Sequence, residues 1–328
     1  LESLIDASAD VEMVVIDEVQ KIPLLLNEVH RLIEERGIKF LLTGSSARTL
    51  HRAHVNLLAG RAWECQLFPL TSHEIPDFNL VRYLHFGGLP AVYLSEYPTE
   101  ELIAYVSTYL KEEIQAESFI RKIPAFSRFL QTAALTSGQI LNFTTIASDA
   151  AVPATTVREY YHVLEDTFLG FMLPAWTKSQ KRKALSSAKF YLFDLGVRNT
   201  LAGITTIDPQ SERYGDAFEH FIALELRAYL SYRRLHMSLN YWRTTHGHEV
   251  DFIIGSQIAI EVKATNKIQD KHFKGLRALA EENICERYIL VSHDKINRKQ
   301  NEFDIIYWED FLKMLWADQL IKKENRTI

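Results

Sequence analysis

Between His248 and Lys263 the chain reads His-Glu-Val-Asp-Phe-Ile-Ile-Gly-Ser-Gln-Ile-Ala-Ile-Glu-Val-Lys, and this stretch constrains the fold more than any other. Two apolar, β-branched runs flank Gly255-Ser256-Gln257, the pattern of a β-hairpin closed by a short Gly-containing loop. With the turn centred on Ser256, Asp251 falls directly across from Glu261. Side chains alternate along a strand, so Lys263 shares a face with Glu261, while Ile260 and Val262 turn the other way into a core. Two carboxylates placed opposite each other, with Cβ atoms roughly 5 Å apart, repel unless a cation sits between them. A hard divalent ion bound by oxygens removes the repulsion and brings catalytic power with it. Lys263 is then placed to hold a phosphate oxygen or to orient an attacking water.

Asp251 followed by Glu261-Val262-Lys263 resembles the active-site hairpin of the PD-(D/E)XK nuclease superfamily. The resemblance implies a restriction-endonuclease-like α/β domain over residues 177–328 that cuts phosphodiesters with magnesium or manganese. Asp251 and Glu261 would hold the metal, Lys263 would stabilise developing charge, and an acidic residue on the preceding helix, matched by Glu219, would join them. The order of elements agrees: a strand at Lys189–Asp194, a helix from Asp216, a strand at Tyr241–Thr244, the hairpin, a helix over Lys267–Glu282, then strands at Arg287–Ser292 and Phe303–Trp308. The competing reading is a half-exposed hairpin with solvated charges on its outer face. Asp216 and Glu219 also have capping-box spacing, which would tie Glu219 to a helix end instead. His246 and His248 lack a third nitrogen or sulfur ligand at useful spacing and are read as a polar loop.

At the other end, Val11–Ile16 is an apolar strand ending in Asp17-Glu18, read as buried. Leu24–Arg36 follows as an amphipathic helix with Leu25, Val29, Leu32 and Ile33 on one stripe. Ile38–Leu42 is a second strand, ending in Thr43-Gly44-Ser45-Ser46. Strand, helix, strand makes a parallel βαβ unit, whose ligands bind at the carboxyl ends of the strands. Asp17, Glu18, Ser45 and Arg61, with the continuation Phe68-Pro69-Leu70-Thr71-x-x-Glu74, resemble the Walker B and sensor part of an archaeal-type AAA+ superfamily ATPase. In that family a helical region and a PD-(D/E)XK-like domain follow. The resemblance implies that these four residues serve nucleotide binding. Yet no Gly-x-x-x-x-Gly-Lys-Ser/Thr occurs anywhere in the chain, so there is no loop to cradle phosphates. ATP is therefore expected as a cofactor only if a P-loop lies upstream, and the chain by itself is not expected to hydrolyse ATP.

The middle reads as helical after Gly87-Gly88-Leu89-Pro90, with a helix opening at Thr99 and running through Glu113 and another over Ile123–Leu135. Thr144–Leu164 reads as helix, tight turn, helix, and Leu169–Trp176 as the strand of a wing, a pattern similar to a winged helix. That places Thr155, Thr156, Arg158 and Tyr161 on DNA; the alternative is a packing module with Tyr160, Val163 and Leu164 as core. Lys178, Lys181, Arg182 and Lys183, with Lys189 nearby, form the densest basic run, either a phosphate track or a solvated loop.

The remaining constraints are broad. A chain of 328 residues, 47% hydrophobic and 24% charged, has ample core for two or three domains. A net charge of −5 excludes a polybasic protein, so contact with DNA must come from a local patch. Two distant cysteines fit a reducing cytoplasm and exclude a disulfide framework, and no apolar run reaches the length of a membrane span. The expected architecture is α/β throughout: a partial P-loop ATPase parallel sheet over 1–80, a helical and winged-helix-like region over 81–176, and the nuclease-like domain over 177–328. DNA, a protein partner or a second copy are the partners this allows, and a membrane is not among them. The rival functional class is a non-catalytic DNA- or protein-interaction module, regulatory in role, on a degenerate nuclease fold.

Overall fold

The computed structural model of the chain describes residues 1–8, 11–44, 62–109, 123–179 and 181–322. Near the N-terminus β1 (Met13–Ile16) and β2 (Lys39–Leu42) pair in parallel, joined by helix α1 (Leu25–Arg36). Gly37, at φ 63°, takes the left-handed conformation that ends α1. The helix buries Leu26, Val29 and Leu32, so its apolar stripe runs through Leu26 rather than Leu25. The expectation of a buried β1 does not hold: Met13, Val15 and Leu41 are 51%, 57% and 49% exposed. Successive strand residues face opposite sides, and among the described residues no second layer covers the side that carries these three.

In the middle, the Gly87–Leu89 loop after α2 (Leu80–Phe86) leads into a one-turn helix, Pro90–Tyr93, with Pro90 in its first turn, where the missing N–H costs nothing. Pro98–Ala104 is helical and widens into a π-helical turn at Tyr105–Tyr109; the rest of the helix expected through Glu113 lies outside the described residues. Helices α3 (Ile123–Leu135), α4 (Phe143–Ala150) and α5 (Ala154–Asp166) pack around Phe129, Tyr161 and Phe190. Their rings meet edge to face, with Tyr161 4.9 Å from Phe129 and 4.8 Å from Phe190. Asn142 caps α4 by accepting the Thr144 and Thr145 N–H groups. β3 (Gly170–Leu173) and β4 (Lys189–Leu192) then pair antiparallel. The strand at 189–192, read in the sequence as the start of the C-terminal domain, thus hydrogen-bonds to β3 and buries Phe190 and Leu192 among the three helices.

Helix α6 (Leu195–Ala202), capped by Asp194, leads to α7 (Glu212–Tyr232), whose N-cap is Ser211. The helix therefore starts four residues before the expected Asp216. It packs on a six-stranded mixed sheet of β5 (Leu239–Arg243), β6 (Glu249–Ile254), β7 (Ile258–Lys263), β8 (Arg287–Ser292), β9 (Arg298–Gln300) and β10 (Phe303–Tyr307), in the order β5-β6-β7-β8-β10-β9. β7, β8 and β10 run parallel, and the remaining neighbours pair antiparallel. Phe218, Phe221 and Ile222 of α7, with α9 (Trp308–Trp316), fill one face against Phe252, Ile260 and Val262. Helix α8 (Lys274–Ala280) fills the other with Leu276 and Leu279 against Trp242, Val250 and Ile253. The fold is mixed α/β, with its largest core wrapped around this sheet.

Candidate active site

The hairpin β6–β7 has the register that a turn centred on Ser256 requires: Ile254 pairs with Ile258, Ile253 with Ala259 and Phe252 with Ile260. Gly255 at φ 54° supplies the left-handed turn residue. Continued one step, the register sets Asp251 opposite Glu261. Backbone pairing stops there, because Asp251 Oδ2 accepts the Val262 N–H at 2.8 Å. A second irregularity falls at the same place. Between the pairs Asn240–Ile253 and Trp242–Val250 the single residue Tyr241 faces both Asp251 and Phe252, and such a bulge re-aims the side chain beside it.

Asp251 and Glu261 are 5% and 6% exposed. Burial, then the charge of Glu219, pushes the Asp251 carboxyl up to about 6. Burial, then the charge of Asp251, raises Glu261 well above the ordinary carboxylate range. Lys263 Nζ lies 2.6 Å from Glu261 Oε1, its side chain about one-third exposed. The charges of Asp251 and Glu261 overcome burial and hold that ammonium above its ordinary pKa. Glu261 Oε2 is buried and has no hydrogen-bond partner among the described residues. A buried carboxylate oxygen left unpaired costs free energy, and here it lies beside a second carboxylate that repels it.

Glu219 sits in the third turn of α7, away from the helix end, so a capping role is excluded by the start at Glu212. Its Oε1 accepts from Lys189 Nζ at 3.0 Å and from the Tyr191 hydroxyl at 2.7 Å. Burial alone would raise its carboxyl, but Lys189 and Tyr191 outweigh burial and lower it. The same ammonium lies 2.8 Å from Glu249 Oε1, whose other oxygen meets Arg243 at 3.0 Å. Sequence does not mark Lys189, Tyr191 or Glu249 as members of this cluster. Nothing local marks them, since Lys189 reads as one more member of a basic run and its partners are 30 and 60 residues away.

The donor set can be tested against a divalent ion. Among the described residues no group of three or more His, Cys, Asp or Glu side chains is arranged to hold a metal. Magnesium, however, is commonly held by one or two carboxylates, its other positions filled by water and phosphate. The paired Asp251 and Glu261 with the orphaned Glu261 Oε2 fit that mode, and Glu219 does not join them while Lys189 holds it.

The other candidates are dispersed. Asp17 Oδ1 takes the Thr43 hydroxyl and the Glu18 N–H at the carboxyl ends of β1 and β2, and Glu18 is itself left-handed at φ 53°. Ser45 and Arg61 lie outside the described residues. Arg158 is exposed on α5 and stacks over the Phe143 ring at 5.0 Å. Tyr161 is fully buried and cannot meet DNA, so that expectation is corrected: it fills the helical core. The basic run lies along β5, where the Leu185 and Thr245 N–H groups bond to Arg243 and Lys183 carbonyls. There Lys178 sits 5.8 Å over the Trp176 ring, Lys181 donates to the Glu281 carbonyl, and Arg182 pairs with Glu281 and the Ala278 carbonyl. Lys183 is exposed.

Residues 1–76 match the AAA domain family model, residues 77–208 a domain of unknown function (DUF8612), and residues 214–311 another (DUF4143). An uncharacterized protein of Mycobacterium tuberculosis is 28% identical over 268 residues, covering 77% of this chain and 59% of its own length. Uncharacterized proteins of Haemophilus influenzae and Methanocaldococcus jannaschii are 23% and 22% identical, over 64% and 89% of this chain and 56% and 73% of their own lengths. The chain thus spans about three-fifths of the length of the mycobacterial relative. No solved structure matches the chain. In sequence it is similar to an ATPase-like fusion, with an AAA-type segment at its N-terminal end and DUF4143 towards its C-terminal end.

Proposed function

We propose that the C-terminal region is a metal-dependent phosphodiesterase of the PD-(D/E)XK kind acting on DNA, carried by a chain of AAA-type ATPase ancestry. The observation that carries the reading is the facing pair Asp251 and Glu261, both buried, with Glu261 Oε2 unpaired and Lys263 alongside. Burying two like charges together is unfavourable, and a divalent ion between them accounts for the arrangement. Bound there, magnesium or manganese would supply Lewis acidity and a water acidified towards neutrality. Asp251 and Glu261 hold it. Lys263, partly open to solvent, receives the phosphate oxygen on which charge builds. Glu219 assists when released from Lys189. In this reading α4, α5 and β3 form a winged-helix-like module; Arg158 and Lys183 are open to DNA, Lys178, Lys181 and Arg182 meet it only by leaving Trp176, Glu281 and the Ala278 carbonyl, and the site of action is the cytoplasm.

The test is cleavage of plasmid and of single-stranded DNA across a magnesium titration. Asp251→Asn and Lys263→Ala should abolish cutting while the far-ultraviolet circular dichroism stays unchanged. Persistent cleavage by Asp251→Asn would refute the assignment.

One observation favours the rival, a non-catalytic interaction or regulatory module. Lys189 engages Glu219 and Glu249, and Lys263 engages Glu261, so much of the cluster's charge is matched internally. Under that reading no variant alters a baseline of zero cleavage, and DNA or a protein is bound without metal. For the N-terminal segment we infer no ATP hydrolysis by this chain, since its sequence lacks a P-loop; magnesium-dependent, stoichiometric ATP binding in calorimetry would overturn that.

A further inference from the structure

We infer that Lys189 is a positioning residue that withholds Glu219 from the metal site and so ties metal affinity to the seating of the middle region on the C-terminal sheet. The inference rests on the metal-site reading above. Lys189 is 3% exposed, and a buried lysine is rare unless it is paired. Its ammonium reaches two carboxylates at once, Glu219 at 3.0 Å and Glu249 at 2.8 Å, and lies 5.3 Å over the Tyr241 ring. It belongs to β4, which pairs with β3 and packs among α3, α4 and α5. Its partners belong to α7 and β6. The contact therefore crosses from the segment matching one family model to the segment matching the next.

The consequence for the site is direct. Glu219 is close enough for its charge to raise Asp251, yet its Oε1 is already taken by Lys189 and Tyr191. While that ammonium holds Glu219, the ion has two carboxylates to bind; with the ammonium withdrawn, Glu219 would be free to turn towards them. A shift of β4 relative to α7 that drew Lys189 away would have the same effect.

The experiment is a calorimetric titration of the full chain with manganese, with folding checked by circular dichroism and thermal melting. Because Lys189→Met alone strands two carboxylates, the variant used is Lys189→Met with Glu249→Gln, which removes one charge of each sign. It should bind manganese at least tenfold more tightly than the unaltered chain. Adding Glu219→Gln should return the affinity to the starting value, and Lys189→Arg should leave it unchanged. A folded double variant with unaltered or weaker affinity overturns the inference. Should that variant not fold, Glu219→Gln in the unaltered background decides: less than threefold weakening agrees with a withheld carboxylate, and a tenfold loss means that Glu219 is already a ligand. Asp251→Asn separates the two levels. If it fails to weaken manganese binding, the metal-site reading itself is wrong, whatever Lys189 does.

Discussion

Asp251→Asn should stabilise the metal-free protein, although a change to a buried, hydrogen-bonded carboxylate would ordinarily weaken a fold. The Asp251 carboxyl is moved from its ordinary 3.8 to about 6, a displacement of about two units. At about 1.4 kcal/mol per unit, ionising Asp251 in the folded chain costs on the order of 3 kcal/mol. Asparagine keeps an oxygen for the Val262 N–H and carries no charge to set against Glu219 and Glu261. Allowing for relaxation around a side chain that no longer repels its neighbours, the gain should be about 1–3 kcal/mol at pH 8. The sign with pH is fixed by the raised pKa. The stability that the protonated carboxyl supplies is present below about pH 4 and is lost as pH rises through 6. The advantage of the variant must therefore be complete above pH 6 and shrink towards pH 4. Guanidinium unfolding in EDTA, at pH 8 and at the lowest pH where both proteins stay folded, measures it as a shift in midpoint at constant slope. Destabilisation at pH 8, or a gain that does not shrink on acidification, would refute the claim that the site stores repulsion.

Three further outcomes follow from the same geometry. Manganese affinity should rise with pH through about 6, as Asp251, held up by burial and Glu219, and then Glu261, held up by burial and Asp251, shed protons; a flat profile from pH 5 to 8 in calorimetry would contradict this. Gly275→Ala should cost at least about 1–3 kcal/mol in chemical denaturation, because a Cβ there would collide with the Glu249 carbonyl oxygen where α8 rests on β6; a neutral result would mean that this approach is looser than described. Glu225→Ala should cost about 2–4 kcal/mol by the same measurement, since the buried carboxylate accepts from the Ser72 N–H, the Ser72 hydroxyl and the Trp316 indole, and its loss strands all three donors; a cost below about 0.5 kcal/mol would show that water replaces it.

Features set by neighbours along the chain could be read from sequence. The hairpin register follows from a three-residue loop containing Gly255, and with it the opposition of Asp251 and Glu261. α3 ends at the expected Leu135, and β8 spans the expected Arg287–Ser292. What escaped depends on partners distant in the chain. An apolar strand reads as buried whether or not a second layer exists, and Val15 is exposed because none covers it among the described residues. Whether strand 189–192 joins β3 or the large sheet is a choice between two edges that its own residues do not encode. The basic run reads as a phosphate track or a solvated loop because its acids, Glu281 beside Arg182 and Glu219 beside Lys189, lie about 100 and 30 residues further on. Lys189 carries no local mark of its role. Its meaning appears only where β4, α7 and β6 converge.

Anomalous diffraction from a crystal of the full chain grown or soaked with manganese tests the central claim most directly. The account predicts a manganese peak lying between the carboxylates of Asp251 and Glu261, with Glu219 still held by Lys189. Manganese bound elsewhere in the crystal, with no density between those two side chains above the acid range, would contradict it.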